Sequence, residues 1–430
     1  MTGKILSVDI GTSSLKASLI DFQGKLCAFC RTVYGENPDA GSWEKAFARA
    51  LGSLSKEAPD LSVEAICISG NGPTLVPVTA KGETLKPLYW YGGKEMSKGL
   101  SFFLPHVAAF KTNAPALYRK TRYFVSSHEW LASRLGAPIA TVLPSKSYEP
   151  YYWDDEQCRS YGLDIAKFPP FIEMGKLLGH VSAEASSAFS PVFGNRLKSG
   201  TPIISGGPDF ITALIGTGTL KPGEICDRAG SSEGLNACAD SPVKNVEGIR
   251  VLPHVTEGFW NIGVIIPSSG RAFEDYRINS FQQNKSYEEL LSELIPSSFL
   301  SDYKPNPGSA FPVSSPDYGR SVLCEMGFAV RRALETLEKA GVAVKRMRLS
   351  GGQGKNARWN QLKADILGVT LLVCEIPDGE LAGNAVLAAA ALEGGKLDDK
   401  TEKMIRIHEI YEPENRAFWE ERYREGNVHK

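Results

Sequence analysis

Ile5-Leu6-Ser7-Val8-Asp9-Ile10, then Gly11-Thr12-Ser13-Ser14, then Lys16-Ala17-Ser18-Leu19-Ile20 is the stretch that decides the fold. Two short apolar runs around a turn of small residues read as two strands joined by a tight connection. Asp21-Phe22-Gln23-Gly24 supplies the next turn, so the opening predicts an antiparallel meander. Asp9 ends the first strand facing a turn of one glycine and three hydroxyl side chains. Such a turn can converge backbone N–H groups on phosphate oxygens, or it can be an ordinary hairpin.

The theme returns in the second half. Glu224-Ile225-Cys226-Asp227 leads into Gly230-Ser231-Ser232, and Gly234-Leu235-Asn236-Ala237-Cys238 follows. Two Asp-bearing strands that each turn through a small-residue cluster predict two related halves. Further strands are expected at 63–69, 202–205, 346–349 and 369–376. Ser126-Ser127-His128-Glu129 is a capping box opening a helix that Gly136 stops. Apolar spacing predicts helices at 322–340, from about Asn356 to Gly368, at 381–392 (Ala-rich) and at 413–425. Strands interleave with helices throughout, which makes the class α/β.

Length and composition bound the function. At 430 residues the chain implies two or three domains at ~150 residues each. With 48 basic and 49 acidic residues the net charge is −1, so neither nucleic acid nor an anionic membrane is an expected partner. No apolar run approaches the ~18–20 residues of a membrane span, and Met1-Thr2-Gly3-Lys4 is not followed by a signal-peptide core; the expected location is the cytoplasm. The eight cysteines are scattered in apolar contexts and read as buried thiols, and Cys27-Ala28-Phe29-Cys30 lacks the second pair a zinc site needs. There is no GxxxxGK[ST] and no HExxH. The six histidines are dispersed and read as structural or solvated.

Gly206-Gly207-Pro208-Asp209 follows the strand Ile203-Ile204-Ser205 and precedes an apolar run over 210–215. A carboxylate at a buried strand end, with glycines leaving room for a ligand, suits a general base; Asp209 can equally cap the helix that follows. Asp9, at a matching strand end, can hold the Mg²⁺ of a nucleotide through water, because Mg²⁺ keeps much of its hydration shell.

These segments together resemble the FGGY carbohydrate kinases over most of the chain. Val8-Asp9-Ile10-Gly11-Thr12-Ser13-Ser14-Leu15-Lys16 is similar to the family's first phosphate motif in its xylulokinase-like form. Gly206-Gly207-Pro208-Asp209, with Gly216 and Gly218, resembles the segment of the catalytic Asp, and Gly230-Ser231-Ser232 the second phosphate turn. Ser350-Gly351-Gly352-Gln353 with Asn356, Trp359, Gln361, Ala364-Asp365, Gly368 and Gly383 resembles the adenosine segment nearly residue for residue. Tyr411-Glu412-Pro413 and the helix after it resemble the C-terminal helix that in the family crosses back to the first domain.

The resemblance implies two actin-like ribonuclease-H-type domains with an ATP cleft between them. Residues 1–220 would form the sugar-binding and catalytic domain, 221–412 the nucleotide-binding domain, and 413–430 a helix returning to the first. ATP and Mg²⁺ are the implied cofactors, and the implied partner is a small sugar or polyol, a ketopentose such as xylulose among the candidates; a homodimer is left open. Asp209 would be the base and Asp9 the metal residue. Gly11, Thr12, Ser13, Gly230, Ser231 and Ser232 would hold phosphates; Gly351, Gly352, Gln353 and Asn356 would border the nucleoside; Asn71 and Trp90 would join Asp209 at the sugar.

The chain also departs from the family. The usual Gly-Glu-Arg-x-Pro stretch is missing where Phe311-Pro312-Val313 runs almost directly into Tyr318-Gly319. Ser69-Gly70-Asn71-Gly72-Pro73 replaces a Gly-Gln-Met-His type of loop. Trp90-Tyr91-Gly92-Gly93-Lys94 stands for Trp-Asn-Asp-Gly-Arg, so Gly92 offers no acceptor to a sugar hydroxyl. An inactive sugar-binding regulator on the same fold, favoured by these departures, and an actin- or chaperone-like ATPase are the alternatives; the retained Asp9 and Asp209 oppose the first.

Overall fold

Ile5, Leu6, Val8 and Ile10 have no exposed surface, so strand β1 (Lys4–Ile10) is covered on both faces and reads as an unbroken apolar run. The computed structural model describes residues 3–35, 38–89, 99–230, 232–243, 246–267, 269–302 and 311–427. They form two compact units, Met1–Gly218 with Glu380–Ile405, and Thr219–Gly379 with Arg406–Lys430.

In the first unit β1 is followed by β2 (Ser14–Ile20), β3 (Leu26–Val33), β4 (Val63–Gly70), β5 (Leu177–His180) and β6 (Pro202–Pro208). The sheet order is β3-β2-β1-β4-β6-β5. The opening meander is antiparallel as expected, β4 and β6 run parallel to β1, and β5 is an antiparallel edge. Between β3 and β4 the helix Ala40–Glu57 buries Trp43, Phe47, Ala50, Leu51 and Leu54 at helical spacing, and the Asp39 carboxylate caps it through the Ser42 N–H.

The second unit contains β7 (Ile225–Ala229), β8 (Glu233–Ala239), β9 (Ile249–Pro253), β10 (Trp260–Ile266), β11 (Arg346–Ser350), β12 (Thr370–Cys374) and β13 (Ile407–Tyr411), in sheet order β9-β10-β8-β7-β11-β12-β13. Without the edge strand β9 this repeats the first sheet: three antiparallel strands, two parallel ones, one antiparallel edge. β1 and β7 correspond, so Asp9 and Asp227 lie on matching strands.

The two units divide the chain at other limits than those expected. The helix Arg416–Asn427 packs on the second unit: Trp419 and Tyr423 belong to the second core, and Arg331 lies 4.1 Å over the Tyr423 ring. Asp365, on the helix Ala357–Leu367, anchors it by accepting from the Glu414 N–H at 2.7 Å and the Asn415 amide at 2.9 Å. Conversely, Glu380–Ile405 leaves the expected nucleotide domain and joins the first unit. Ser7 donates to the Leu381 carbonyl at 2.7 Å, and the Asn384 amide donates to the Val8 carbonyl at 2.9 Å. The expected helix 322–340 starts earlier, as Pro316–Lys339, because Ser315 caps it through the Tyr318 N–H and Pro316 fits its first turn. All eight cysteines are free thiols, six of them buried. Among the described residues no helix is long and apolar enough to cross a membrane.

Candidate active site

In the first unit the residues singled out meet at the ends of β1, β4 and β6. Asp9 is 3 % exposed and pairs in register with Ser69 of β4, whose hydroxyl donates to Oδ1 at 2.9 Å. Ser69 in turn accepts from the Asn384 amide at 3.0 Å. Burial, then the charge of Glu380, then that of Asp209 push the Asp9 carboxyl up to about 8, although Lys16 and the Ser69 hydrogen bond pull the other way. Lys16, opposite Asp9 on β2, lies 3.7 Å from Glu380. Asp9, Asp209, Glu380 and Lys16 therefore form one electrostatic group carrying more carboxylates than cations.

Asp209 opens the helix Asp209–Thr217 as its first residue. The N-cap is Pro208, and the Asp209 carboxylate accepts from the adjacent Phe210 N–H, in the first turn, at 2.7 Å. Its position follows from a bulge: Ser205 pairs with Ile68 and Gly207 with Ser69, leaving Gly206 unpaired. The helix is braced from outside by Gly383, where any Cβ would stand 1.9 Å from the Thr212 carbonyl.

The turn of Gly11, Thr12 and Ser13 is closed by the Gly11 N–H to the Ser14 carbonyl at 3.0 Å, and Thr12 and Ser13 are exposed. Asn71 is buried; its amide donates to Thr12 Oγ1 at 3.1 Å, while its Oδ1 has no hydrogen-bond partner among the described residues. Behind Gly70 stand Ser127 and His128, whose side-chain Oγ and ring nitrogens are likewise buried without hydrogen-bond partners. Trp90, Gly92 and Lys94 lie outside the described residues.

In the second unit Gly351 sits at φ 102°, and a Cβ there would lie 2.5 Å from the Ala229 carbonyl, whereas none of the described residues comes within 4 Å of one on Gly352. Gln353 ties this segment to the β7–β8 turn by donating to the Gly230 carbonyl at 3.0 Å and accepting from Trp359 Nε1 at 3.3 Å. Gly230 also closes its turn on the Ser232 carbonyl at 3.1 Å; Ser231 lies outside the described residues. Asn356 is committed locally: Oδ1 caps the helix Ala357–Leu367 and Nδ2 donates to Glu288.

Sequence reasoning gave no site role to Glu380, His128 or the buried set of Lys363, Asp227 and Glu233. Lys363 was the findable one. It stands four residues after Trp359 and three before Ile366, a charge on an otherwise apolar stripe.

Two repeated sheets of ribonuclease-H type, each with a small-residue turn after its first strand, define an actin-like fold. Residues 304–392 match the sequence profile described as the FGGY family of carbohydrate kinases, C-terminal domain. The xylulose kinase of Bacillus subtilis is 23 % identical, over 90 % of this chain and 87 % of its own. Among solved structures, a xyloylose kinase from Brucella ovis superposes with TM-score 0.74 at 20 % identity, covering 99 % of this chain and 98 % of its own. A gluconate kinase from Lactobacillus acidophilus gives 0.77 at 15 % identity, covering 99 % and 97 %. Residues 304–392 thus match the FGGY carbohydrate kinases, and the chain as a whole is similar in sequence and in fold to carbohydrate kinases.

Proposed function

We propose that the protein transfers the γ-phosphoryl group of ATP to a hydroxyl of a small neutral sugar or polyol, with Asp209 as general base. The observation that carries this reading is the placement of Asp209 at a bulged strand end, in the same electrostatic group as Asp9. Asp209 accepts the proton of the attacking hydroxyl as the oxygen–phosphorus bond forms.

Among the described residues no three His, Cys, Asp or Glu groups come together to ligate a metal directly. A buried carboxylate among other carboxylates fits a hydrated cation, so Asp9 would hold Mg²⁺ through water. When bound, Mg²⁺ supplies charge neutralisation at the phosphates.

In the turns closed by Gly11 and Gly230, the exposed Thr12 and Ser13, and Ser232 of the second unit, offer groups to phosphate oxygens. Open space over Gly352, beside Gln353, suits a nucleoside. The unsatisfied Asn71 Oδ1 suits a sugar hydroxyl. A neutral acceptor is favoured because Asp209 and Glu380 outnumber Lys16 in this group, and an anionic acceptor would meet like charge. ADP release measured over ketoses, aldoses, polyols and sugar acids tests the reading. No release with any member of a broad panel would overturn it.

A further inference from the structure

Lys363 is a lysine with no exposed surface, held between two carboxylates that sit on either side of one turn. Its ammonium donates to Asp227 Oδ2 at 2.5 Å, on β7, and to Glu233, the first residue of β8. Glu233 also accepts from Ser269, and Ser269 in turn lies 3.4 Å from the Gln353 amide that holds the Gly230 carbonyl. Burial and the Glu233 charge push Asp227 up to about 8. Glu233 stays ionised against its burial because Lys363 and its hydrogen bonds hold it low. Two carboxyl groups thus share one ammonium, and their opposed shifts bring the buried charge toward balance.

The β7–β8 ladder runs up to the Ala229–Glu233 pair beside the turn. A single cation bonded to Asp227 on one strand and to Glu233 on the other adds a side-chain clamp across the base of that turn.

We propose that Lys363 is a positioning residue for the phosphate turn at Gly230 and Ser232, acting through Asp227 and Glu233. This rests on reading that turn as phosphate-binding. It goes beyond that reading in assigning the turn's geometry to a buried cation on a different helix.

The test uses the full chain with Lys363→Met and with the charge-balanced double variant Lys363→Met/Glu233→Gln, which removes the stranded carboxylate that could unfold the single one. Affinities for ATP and for adenosine are compared by calorimetry, together with KM for ATP and for the sugar. The expected result for the folded double variant is an ATP affinity roughly 10–100-fold weaker, the size of a lost charge-assisted contact. Adenosine affinity and the KM for sugar should stay within about twofold, well inside the ~10-fold that 1.4 kcal/mol represents. Equal losses for ATP and adenosine, or an unchanged ATP affinity, would overturn the proposal. A wild-type protein that bound adenosine as tightly as ATP would instead remove the phosphate-turn reading itself.

Discussion

The carbonyl oxygen of Ile68 fills the place that a side chain on Gly206 would need, 1.9 Å from where its Cβ would be. Because β6 bulges at that contact, the strand reaches Pro208 level with Gly70 and hands over to the helix at Asp209. The position of one carboxylate therefore depends on the absence of one methyl group three residues earlier.

Asp209→Asn is expected to abolish phosphoryl transfer while leaving ATP binding nearly intact. Loss of a general base typically costs roughly 10²–10⁴ in rate. Single-turnover rates and ATP titration on the same preparation check this. Wild-type-like turnover from folded Asp209→Asn would take Asp209 out of the mechanism.

Gly351 and Gly352 should respond in opposite ways to substitution. Leucine at Gly352 meets no protein atom near its Cβ, so the fold should hold while nucleotide affinity drops about tenfold or more and sugar affinity does not. Alanine at Gly351 must adopt φ 102° and press on the Ala229 carbonyl, and should lower stability by about 1–3 kcal/mol. Thermal unfolding and titration of both ligands separate the two. Equal loss of nucleotide and sugar binding in Gly352→Leu would place the nucleotide elsewhere.

Neutral acceptors should exceed aldonic acids of the same carbon number by about tenfold or more in kcat/KM, the size of a like-charge penalty near several carboxylates. Glu380→Gln should narrow the gap by removing one of those charges. An aldonic acid as the best substrate would mean that the carboxylate group does not face the acceptor.

Stability should depend on pH through His128. Burial pushes its imidazole from 6.5 down to about 3, so the unfolded chain takes up a proton near pH 6.5 while the folded chain does not. This contribution is complete above pH 6.5 and is lost as pH falls toward 3, at up to about 1.4 kcal/mol per unit. Glu129 works in the opposite sense. Burial raises it from 4.5 to about 7, so its contribution is complete below 4.5 and is lost as pH rises toward 7. His128→Gln should therefore gain stability relative to wild type at pH 4–5 more than at pH 7, measured by denaturant unfolding. Parallel pH profiles would show that His128 is not held neutral.

Much of this frame is legible in the chain because short-range rules fix it. Strands β1, β2, β7 and β8 announce themselves by apolar runs broken at small-residue turns, and Asn356 and Gly368 bracket their helix as cap and stop. Asp9 and Asp209 are legible from their place at strand ends. What escapes reading is set by distant partners. Glu380 reaches Asp9 only because its helix joins the first unit, and nothing local to Asp378-Gly379-Glu380 signals that. The packing of the final helix is set in the same way, because Trp419 buries against Phe299 and Phe328, far away in the chain.

The bonds from Ser7 to Leu381 and from Asn384 to Val8 join residues 374 and 376 positions apart. During synthesis at about 5–20 residues per second, the amino-terminal sheet waits some tens of seconds for the helix that satisfies its buried polar groups. Closing so long a loop also makes assembly of this unit slow compared with a domain built from neighbouring segments. Through that interval the end of β1, with Asp9 on it, lacks the cover that later makes it a rigid strand end.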